Sequence, residues 1–495
     1  MTEKFEHCSL EDFRPLPCGE DQYSFEFVKR NNVLKLRETE ETVEVGICGE
    51  YEVPLVEYLR CFHAKRVRFH LIDRSELAIY LGEQLTAAEY SASEARTAEE
   101  ELLLLDRLAN DAPVINLVNA ILIEGIRAGA SDIHIESFPG RPAVRYRVDG
   151  TLIEGRELRS VLFPAVSSRI KIMANMNIME RRLPQEGRLT VHLDDRSLDL
   201  RVSIVPMAGG ESIVLRLFGA QNAPRRVEEL GLSGGRLALL RSFASFSRGL
   251  ILATGPTGSG KSTTLKAMLA EIDARSKKIV TIEDPIEYLL PGVTQIQTNE
   301  AVGLGFDMIL RRVLRQDPDV IMVGEIRDRE TAELAVRAAL TGRLVYSTLH
   351  TPDSVSAITR LRDIGIEPYL IAAVLRAVVA QRLVRRLCRA CLRKIPLGGA
   401  QASLLDQYGI EADGVYTPGG CAGCRGTGYR GRVALVELFA VDDRSTSMIA
   451  EARPASEIRS QVFGPKARPL LEDGLLKAAE GVTSMEEVAR AVVLE

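Results

Sequence analysis

The sequence predicts an α/β protein whose core is a largely parallel β-sheet flanked by helices. Three observations lead to this fold. In residues 230–495, short apolar runs alternate with segments of helical character, a pattern typical of parallel strands joined by crossover helices. The first apolar run is followed at once by a glycine-rich segment with the spacing of a phosphate-binding loop. Later runs end in an acidic side chain or a histidine, as expected where the strands of such a core reach a catalytic edge.

The length of the chain predicts several domains, because 495 residues exceed what one hydrophobic core usually holds. Residues 1–95 mix strand-like and helical pieces and predict a small α+β domain. Residues 96–107 are predicted to form a linker. A second α+β domain is predicted at 108–222, and the parallel-sheet domain at 230–495.

The second domain begins with an amphipathic helix and continues with half-buried strands. The helix is indicated by apolar residues at helical spacing: Val114, Leu117, Val118, Ile121 and Leu122. In three later strands, apolar residues alternate with polar ones, so that arginines share one face. These arginines are Arg145 and Arg147 in Ala143–Val148, Arg201 in Leu198–Ile204, and Arg216 in Ile213–Leu217. Arginines on a strand face often serve only to meet water, so the strands alone leave a functional role open.

The glycine-rich segment predicts a site for a nucleoside triphosphate. It has the complete Gly-x4-Gly-Lys-[Ser/Thr] spacing in Gly255-Pro256-Thr257-Gly258-Ser259-Gly260-Lys261-Ser262. A predicted strand, Leu250–Ala253, precedes it, and a predicted helix, Thr263–Ala274, follows. The glycines allow backbone N–H groups to converge on phosphate oxygens at the positive end of that helix. Lys261 is expected to reach the β- and γ-phosphates, Ser262 to bind Mg²⁺, and Thr263 to complete the nucleotide-binding set.

Three further strands predict catalytic side chains at their ends. The strands are Ile279–Ile282, Val320–Val323 and Leu344–Leu349. Glu325 follows the second strand, where a carboxylate can hold the hydration shell of Mg²⁺ and polarise the attacking water. Glu283 and Glu287 follow the first strand, and either can act as general base toward water. His350 ends the third strand, where it can sense the γ-phosphate or serve a structural role.

Four of the eight cysteines predict a structural metal site. Cys388 and Cys391 form one Cys-x2-Cys pair, and Cys421 and Cys424 form a second pair 29 residues later. Two such pairs give tetrahedral four-sulfur coordination of Zn²⁺ with no open position, so the site is structural rather than catalytic. A redox dithiol needs only one pair. We therefore predict a zinc-binding element at residues 385–435.

Composition argues against several classes of partner and location. The formal net charge is −5, and no basic stripe with interleaved aromatic residues is present, so a nucleic-acid partner is not expected. The first residues lack the pattern of a secretory signal. The most apolar stretch of helical character, Tyr369–Val384, is interrupted by Arg376, Gln381 and Arg382. It is also shorter than the about 20 apolar residues that span a bilayer, so we predict a soluble, cytosolic chain.

The ordered segments of the C-terminal domain resemble the secretion ATPase superfamily, and more closely the ATPases of type II secretion and type IV pilus assembly. In that family the segments are called Walker A (Gly255–Ser262), the Asp box (Thr281–Tyr288), Walker B (Leu314–Asp328) and the His box (Ser347–Thr351). The second domain is similar in four further segments: Ala130–Glu136, Arg145–Gly150, Arg182–Arg188 and Gly210–Ser212. The resemblance spans about residues 108–490. Two positions depart from it, because Lys266 stands where Tyr is common and Pro352 where Asn is common.

The resemblance implies a RecA-like P-loop ATPase core, preceded by a PAS-like α+β domain and a small α+β N-terminal domain. It implies a homo-hexamer with ATP bound between domains. It also implies that Arg201 and Arg216 are catalytic arginines that reach the γ-phosphate, with Arg147 as a further nucleotide-binding candidate. A guanidinium stabilises the charge that develops on the transferred phosphoryl group. The resemblance therefore favours a functional role for the arginine-bearing strands.

The resemblance further implies a cytoplasmic ATPase motor that is attached peripherally to the inner membrane through its partners. ATP, Mg²⁺ and Zn²⁺ are the implied cofactors. Hydrolysis would drive pseudopilus assembly and protein export through an inner-membrane platform protein, with residues 1–95 docked on the cytoplasmic domain of a membrane anchor protein. The four-cysteine element is similar to that of assembly-type members, whereas retraction-type members lack it.

Three alternatives to a type II secretion motor stay open. A type IV pilus assembly ATPase is less favoured, because the N-terminal region here is short. A DNA-translocating motor shares the RecA-like core, but the negative net charge disfavours it. A non-catalytic scaffold is disfavoured by the intact Lys261, Ser262 and Glu325.

Overall fold

A computed structural model describes residues 5–13, 15, 22–49, 53–91, 105–138, 141–193, 196–218, 225–232 and 234–492. The chain divides into two compact units, Met1–Gln221 and Asn222–Glu495. The first unit contains two β-sheets, and the second contains a large, mainly parallel sheet and a small two-stranded sheet.

The first sheet of the N-terminal unit has the strand order β1-β4-β3-β2. Its elements are β1 (Glu6–His7), α1 (Phe25–Asn31), β2 (Val33–Glu38), β3 (Thr42–Ile47), α2 (Val53–Phe62), β4 (Arg66–Leu71) and α3 (Arg74–Ser91). Strand β4 runs parallel to β1 and β3, and β2 runs antiparallel to β3. The helices and the sheet enclose a core of their own around Val28, Val45 and Leu59.

The second sheet of this unit is wholly antiparallel, with the order β7-β6-β5-β10-β9-β8. Its elements are α4 (Ala112–Ala128), β5 (Asp132–Phe138), β6 (Arg141–Val148), β7 (Thr151–Glu157), α5 (Phe163–Met173), β8 (Gln185–Leu193), β9 (Arg196–Met207) and β10 (Gly210–Phe218). The five apolar residues predicted to form the buried stripe of the first helix are all buried in α4. They pack on the apolar face of the sheet, which leaves the arginine-bearing face to solvent.

The large sheet of the C-terminal unit has the order β13-β12-β14-β15-β11-β16-β19 and is parallel except for the pair β16 and β19. Its first elements are α6 (Gly234–Ala244), β11 (Gly249–Thr254), α7 (Lys261–Ala270), β12 (Ile279–Glu283), β13 (Thr294–Gln297), α8 (Phe306–Val313), β14 (Val320–Val323), α9 (Arg329–Leu340), β15 (Leu344–Leu349), α10 (Ser356–Asp363), α11 (Pro368–Val374) and β16 (Leu375–Leu387). Buried clusters lie on both faces of this sheet, as parallel sheets require.

The last part of the chain adds an excursion from the large sheet and a set of helices. Its elements are β17 (Arg393–Ile395), α12 (Gly399–Gln407), β18 (Val415–Thr417), β19 (Tyr429–Ala440), α13 (Asp443–Ala450), α14 (Ala455–Phe463), α15 (Pro469–Ala479) and α16 (Met485–Ala491). Short 3-10 segments occur at Leu10–Asp12, Val227–Leu230, Glu300–Val302 and Ala422–Cys424. Strands β17 and β18 pair with each other outside the large sheet.

One expectation about secondary structure was wrong. The stretch Tyr369–Val384 is helical only to Val374 and then continues as the long strand β16. Periodicity cannot separate a short buried helix from a buried strand, and here hydrogen bonding to β11 and β19 decides in favour of the strand. Further along the chain, the helix Gly399–Gln407 buries Leu405 against α15.

The predicted linker, 96–107, lies outside the described residues except for its end, since residues 105–109 are helical and Leu105 is buried. Within the described residues, no helix combines the length and the apolar character that crossing a membrane requires.

Candidate active site

The phosphate-binding loop leaves the carboxyl end of β11, which is the fully buried strand next to the centre of the large sheet. Gly255, Gly258 and Gly260 have φ angles of 143°, 76° and 86°, a region that side-chain-bearing residues rarely adopt. Gly260 is the N-cap residue of α7, which begins at Lys261. The loop and the first turn of α7 thus present their backbone N–H groups at one place. This arrangement brings together the whole predicted set from Gly255 to Thr263.

The side chain of Lys261 folds back over this loop. Its Nζ donates hydrogen bonds to the carbonyl oxygens of Gly255 at 2.8 Å and Pro256 at 3.0 Å. Burial is the main cause that lowers the pKa of the Lys261 ammonium, Glu325 opposes this effect, and Arg382 adds to it. A buried cation that is held by carbonyl dipoles is well placed to be bound by a phosphate anion.

Glu325 and His350 meet at the carboxyl ends of neighbouring parallel strands. Glu325 follows β14 and His350 follows β15, which pairs with β14 on one side and with β11 on the other. The Nε2 atom of His350 lies 3.3 Å from one carboxylate oxygen of Glu325. Arg327 pairs with the other oxygen of the same carboxylate. The acid, the histidine and the phosphate loop therefore share one edge of the sheet.

Hydrogen bonds from β15 fix the ends of these strands. Ser347 Oγ donates to Val323 O at 2.8 Å, and Thr348 Oγ1 donates to Gly324 O at 2.7 Å. On the other side of β15, Thr351 N donates to Thr254 Oγ1 at 2.9 Å. The hydroxyl-bearing residues of the His box thus tie the strand before Glu325 to the strand before the phosphate loop.

The two acids of the Asp box occupy contrasting positions. Glu283 ends β12 and is 4% exposed, whereas Glu287 is exposed. The Glu283 carboxylate forms an ion pair with Lys266 Nζ at 2.7 Å, and it accepts hydrogen bonds from Thr281 Oγ1 at 2.7 Å and Gln295 Nε2 at 2.9 Å. Both oxygens of Glu283 thus have partners inside the protein, and its side chain is buried, whereas Glu287 is exposed to solvent.

Lys266 is the centre of a buried connection between α7 and the Asp box. It is 1% exposed, and its Nζ lies 4.1 Å from the centroid of the Tyr288 ring. Gln295 also donates to Tyr288 O at 3.0 Å, which holds the segment that carries Tyr288 against the strand. The position where the resembling family often has Tyr thus carries a lysine that reaches a tyrosine of the Asp box instead.

A row of charged side chains crosses the exposed face of the six-stranded sheet of the N-terminal unit. Direct pairing places Arg188 opposite Arg201, Arg201 opposite Arg216, Arg216 opposite Asp132, and Asp132 opposite Arg147. Residues directly opposite each other project from the same face. Five neighbouring strands therefore contribute four arginines to one row, which we call the arginine row. The predicted Arg147, Arg201 and Arg216 all belong to it.

Acidic side chains hold the arginine row in place. Asp132 is buried and lies 2.8 Å from Arg216 Nε and 4.0 Å from Arg147 Nε. Glu186 lies 2.6 Å from Arg201 Nη2. The guanidinium groups of Arg201 and Arg216 nevertheless keep 45% and 63% of their side-chain surface exposed. They remain available to an external anion.

The four predicted cysteines converge on one point. All four Sγ atoms lie within 4.8 Å of one another, with 3.9 Å between Cys388 and Cys421 and 3.7 Å between Cys391 and Cys424. A tetrahedral site with metal–sulfur distances of about 2.3 Å has sulfur–sulfur distances of about 3.8 Å. The cluster therefore has the size and the donor set of a four-thiolate metal site.

Backbone donors support a thiolate in this cluster. Cys424 Sγ accepts hydrogen bonds from Cys421 N and Gly428 N, each at 3.2 Å. Burial acts to raise the pKa of the Cys424 thiol, and these backbone hydrogen bonds, together with hydrogen bonds from the Cys421 and Cys391 thiols, outweigh it and lower the pKa to about 6. Such contacts orient a metal ligand and stabilise its charge.

Sequence reasoning missed three residues at these sites. Arg188 joins the arginine row. The alternation of side chains along β8 could have assigned Arg188 to the polar face of that strand, but only the fold shows that it lies opposite Arg201. Gln381 and Arg382 reach the phosphate loop from β16. In the sequence they stand out only as polar interruptions of an apolar stretch, because the sequence of that strand resembles a helix.

Comparison with known proteins gives consistent results. Residues 107–490 match the family described as Type II/IV secretion system protein. The chain is 45% identical over 413 residues to the type II secretion system protein HxcR of Pseudomonas aeruginosa, covering 81% of this chain and 84% of that protein. It is 41% identical over 485 residues to the type II secretion system protein E of Dickeya dadantii, covering 94% and 96%. It is 43% identical over 461 residues to the type II secretion system ATPase E of Vibrio cholerae, covering 91% and 90%.

Two solved structures are similar in fold. One is the pilus retraction motor PilT with bound ADP, with a TM-score of 0.50 and 26% identity over 75% of this chain and 95% of that chain. The other is the ATPase DotB of Legionella pneumophila, with a TM-score of 0.57 and 22% identity over 76% of this chain and 94% of that chain.

Proposed function

Because the chain belongs to the type II/IV secretion system protein family, we propose that it is the ATP-hydrolysing motor of a type II secretion system. The membership rests on a family match over residues 107–490 and on relatives that span most of the chain. The observation that carries the proposal is the shared edge of the large sheet, where Lys261, Glu325 and His350 come together. Membership of this family implies that the chain binds a nucleotide and Mg²⁺.

Each residue at this edge has a proposed role. The backbone of the loop and Lys261 bind the phosphates, and Ser262, in the first turn of α7, holds Mg²⁺. Glu325 is placed to polarise the attacking water and, together with Ser262, would hold Mg²⁺, while His350 is placed to sense the γ-phosphate. Glu287 is the proposed general base, because Glu283 is occupied by its ion pair with Lys266.

The arginine row is the proposed source of positive charge for the transferred phosphoryl group. Arg201 and Arg216 lie side by side with exposed guanidinium groups, and Arg188 and Arg147 extend the row on either side. Guanidinium groups on rigid strands stabilise phosphoryl charge without the cost of ordering a loop.

Replacing one arginine of the row tests this role. We expect Arg201→Ala to lower kcat about 10- to 100-fold, because one charge-assisted hydrogen bond of roughly 1.5–3 kcal/mol is lost from the transition state. ADP affinity is expected to change less than threefold in the same protein. Phosphate release and binding of a fluorescent ADP measure the two quantities. Arg127→Ala, an exposed arginine on α4, is the control. Equal losses of turnover and ADP affinity in Arg201→Ala would contradict the proposal.

The four-cysteine cluster is the proposed site of a structural Zn²⁺. Tetrahedral thiolate coordination without an open position suits zinc and leaves no place for a substrate. The metal would join the two Cys-x2-Cys turns and so hold residues 385–435 together. Cytosolic conditions favour such a site over disulfides.

Removing one ligand tests the zinc proposal. We expect the wild type to bind about one zinc ion per chain. Cys421→Ser should lose most of this zinc and should become more sensitive to proteolysis within residues 385–435. Metal analysis and limited proteolysis of the full chain measure both effects. Cys61→Ser is the matched control, because Cys61 is an exposed free cysteine elsewhere in the chain. A folded wild-type protein without zinc would refute the proposal.

The proposed partners follow from the family. We propose a homo-hexamer that works on the cytoplasmic side of the inner membrane. In this proposal the hexamer contacts a platform protein, and residues 1–95 dock on the cytoplasmic domain of a membrane anchor protein. The N-terminal sheet with its separate core is the part of the chain that the catalytic proposal leaves free for this contact.

A pair of measurements tests the proposed function. Purified, oligomerised protein should release phosphate from ATP, and addition of DNA should leave that rate unchanged. Cells that lack the protein should stop exporting their type II substrates and should still make type IV pili. Loss of pili with normal export would establish the alternative, a pilus assembly ATPase. An inert enzyme, even in the presence of its partners, would refute the ATPase proposal.

A further inference from the structure

Arg382 lies beside the phosphate loop, on the strand that neighbours β11. The register pairs Thr254, the last residue of β11, with Ala380, so Gln381 and Arg382 continue alongside the loop. A Cβ atom at Gly255 would lie only 3.2 Å from Arg382 Nη1, which shows how closely the guanidinium approaches the first residue of the loop. The side chain is half-buried at this place.

Gln381 locks the same strand to the loop. Its Nε2 donates a hydrogen bond to the carbonyl oxygen of Ser259, and both side chains are almost fully buried. Two further polar atoms, Gln381 Oε1 and Ser259 Oγ, have no hydrogen-bond partner among the described residues. Buried polar atoms without partners are rare in proteins and indicate a place that a ligand or water completes. Because Gln381 is fixed, the position of Arg382 relative to the loop is fixed as well.

The hydrogen bonds of Arg382 leave most of its donors unused. Nη2 donates to Pro352 O at 2.8 Å, and Nη1 donates to Gln381 O at 3.2 Å. A guanidinium has five N–H donors. Both partners are neutral carbonyl groups, and no carboxylate of a described residue forms an ion pair with Arg382. The charge of Arg382 is therefore held in place without being neutralised at contact distance.

Arg382 and Lys261 together concentrate positive charge at the loop. Burial is the main cause that lowers the pKa of the Arg382 guanidinium, and the carboxylates of Asp353 and Glu437 oppose this effect. Burial is also the main cause that lowers the pKa of the Lys261 ammonium, and the charge of Arg382 adds to it. The positive end of α7 adds a third contribution at the same place. An anion bound at the loop would be attracted by all three sources of positive charge: Arg382, Lys261 and the N-terminal end of α7.

From this geometry we propose that Arg382 binds the phosphate chain of the nucleotide as a second fixed cation beside Lys261. Arg382 and the loop belong to the same C-terminal unit, whereas the arginine row belongs to the N-terminal unit. Arg382 is a binding residue in this proposal, and Gln381 is the positioning residue that holds it. The proposal rests on nucleotide binding at this loop, and its test measures binding without hydrolysis.

The test compares nucleotide affinity in variants of the full-length chain. We expect Arg382→Ala to weaken binding of a fluorescent ADP about tenfold or more, since a hydrogen bond to a charged group contributes roughly 1.5–3 kcal/mol. Arg382→Lys should recover part of the loss by keeping the charge. Inorganic tripolyphosphate, used as a competitor, should lose affinity by the same factor as ADP, because it carries phosphates and no base or ribose.

The matched control is Arg376→Ala on the same strand. Its guanidinium also donates to carbonyl oxygens, of Ala373 at 2.9 Å and Leu375 at 3.2 Å, but at the far end of β16 from the loop. This variant should bind ADP like the wild type. A thermal unfolding curve of each variant checks that the chain is folded.

Three results would overturn the proposal. One is unchanged ADP affinity in folded Arg382→Ala, which would leave Arg382 as a tie to Pro352 only. Another is a loss of ADP affinity with unchanged tripolyphosphate affinity. The third is no recovery in Arg382→Lys. Because none of these results depends on turnover, a protein that binds ADP normally but does not hydrolyse ATP would refute the proposed ATPase function and still test Arg382.

Discussion

Glu325→Gln is expected to lower kcat for ATP hydrolysis by about 10²–10⁴-fold, the range in which a positioned acid–base group contributes. An amide has nearly the shape of the carboxylate but carries no negative charge and accepts no proton. It therefore cannot polarise the water or offset the charge of Mg²⁺. ADP affinity is expected to stay within about threefold of the wild type, because the phosphate loop and Lys261 are unchanged. Phosphate release under saturating ATP and binding of fluorescent ADP measure the two effects.

Glu330→Gln is the control for this variant. Glu330 lies five residues further along the chain, is exposed on α9, and among the described residues forms one ion pair, with Arg311 at 3.5 Å. The same chemical change there should leave kcat within about twofold, as expected for a surface ion pair. A Glu325→Gln enzyme that retains more than about a third of wild-type kcat would rule out the proposed role.

Lys266→Met is expected to destabilise the C-terminal unit by roughly 3–5 kcal/mol, because it leaves the buried Glu283 carboxylate without its cation. For a unit of this size, such a loss lowers Tm by about 10 °C. The change also removes the contact between Lys266 and the Tyr288 ring, so that the segment carrying Glu287 and Tyr288 loses a contact with α7 and turnover should fall. Differential scanning fluorimetry of the full chain measures Tm, and phosphate release measures turnover.

A double variant separates the buried charge from the lost contact. In Lys266→Met/Glu283→Leu no uncompensated charge remains, so Tm should recover most of the loss. Turnover should stay low, because the Asp box is still not tied to α7. Lys466→Met replaces an exposed lysine of the same unit and should leave Tm unchanged. A Tm shift below about 2 °C in Lys266→Met would show that the pair contributes little.

The features that depend on local spacing were predictable from the sequence. The strands Val320–Val323 and Leu344–Leu349 have the predicted bounds, because each is a short apolar run between polar residues. The phosphate loop needs its glycines at fixed positions, and each cysteine pair needs two residues between its members. Both motifs can therefore be recognised from residue spacing in the sequence alone. The stripe of α4 repeats with helical spacing and was equally clear.

The features that depend on pairing across the chain were not predictable in this way. Strand β16 resembles a helix in its sequence, and only its position beside β11 determines its conformation. The ion pair of Lys266 with Glu283 joins residues 17 positions apart on different elements. No pattern in either segment predicts that these two side chains meet. The arginine row became visible only when strand register placed Arg188, Arg201 and Arg216 opposite one another.

The register pairing of Leu387 with Tyr429, where β16 ends and β19 begins, has a consequence for the evolution of this fold. The chain departs from the large sheet after Leu387 and returns at Tyr429, directly opposite the point of departure. Everything between these residues, including the four cysteines, is therefore a cassette whose two ends already touch. A tight hairpin can join these two residues without moving a strand of the large sheet, and the apolar faces of α15 and α16 that Leu405 and Val415 cover would then need polar side chains. Within those limits the appendage can be exchanged while the strands that carry Glu325 and the phosphate loop keep their places.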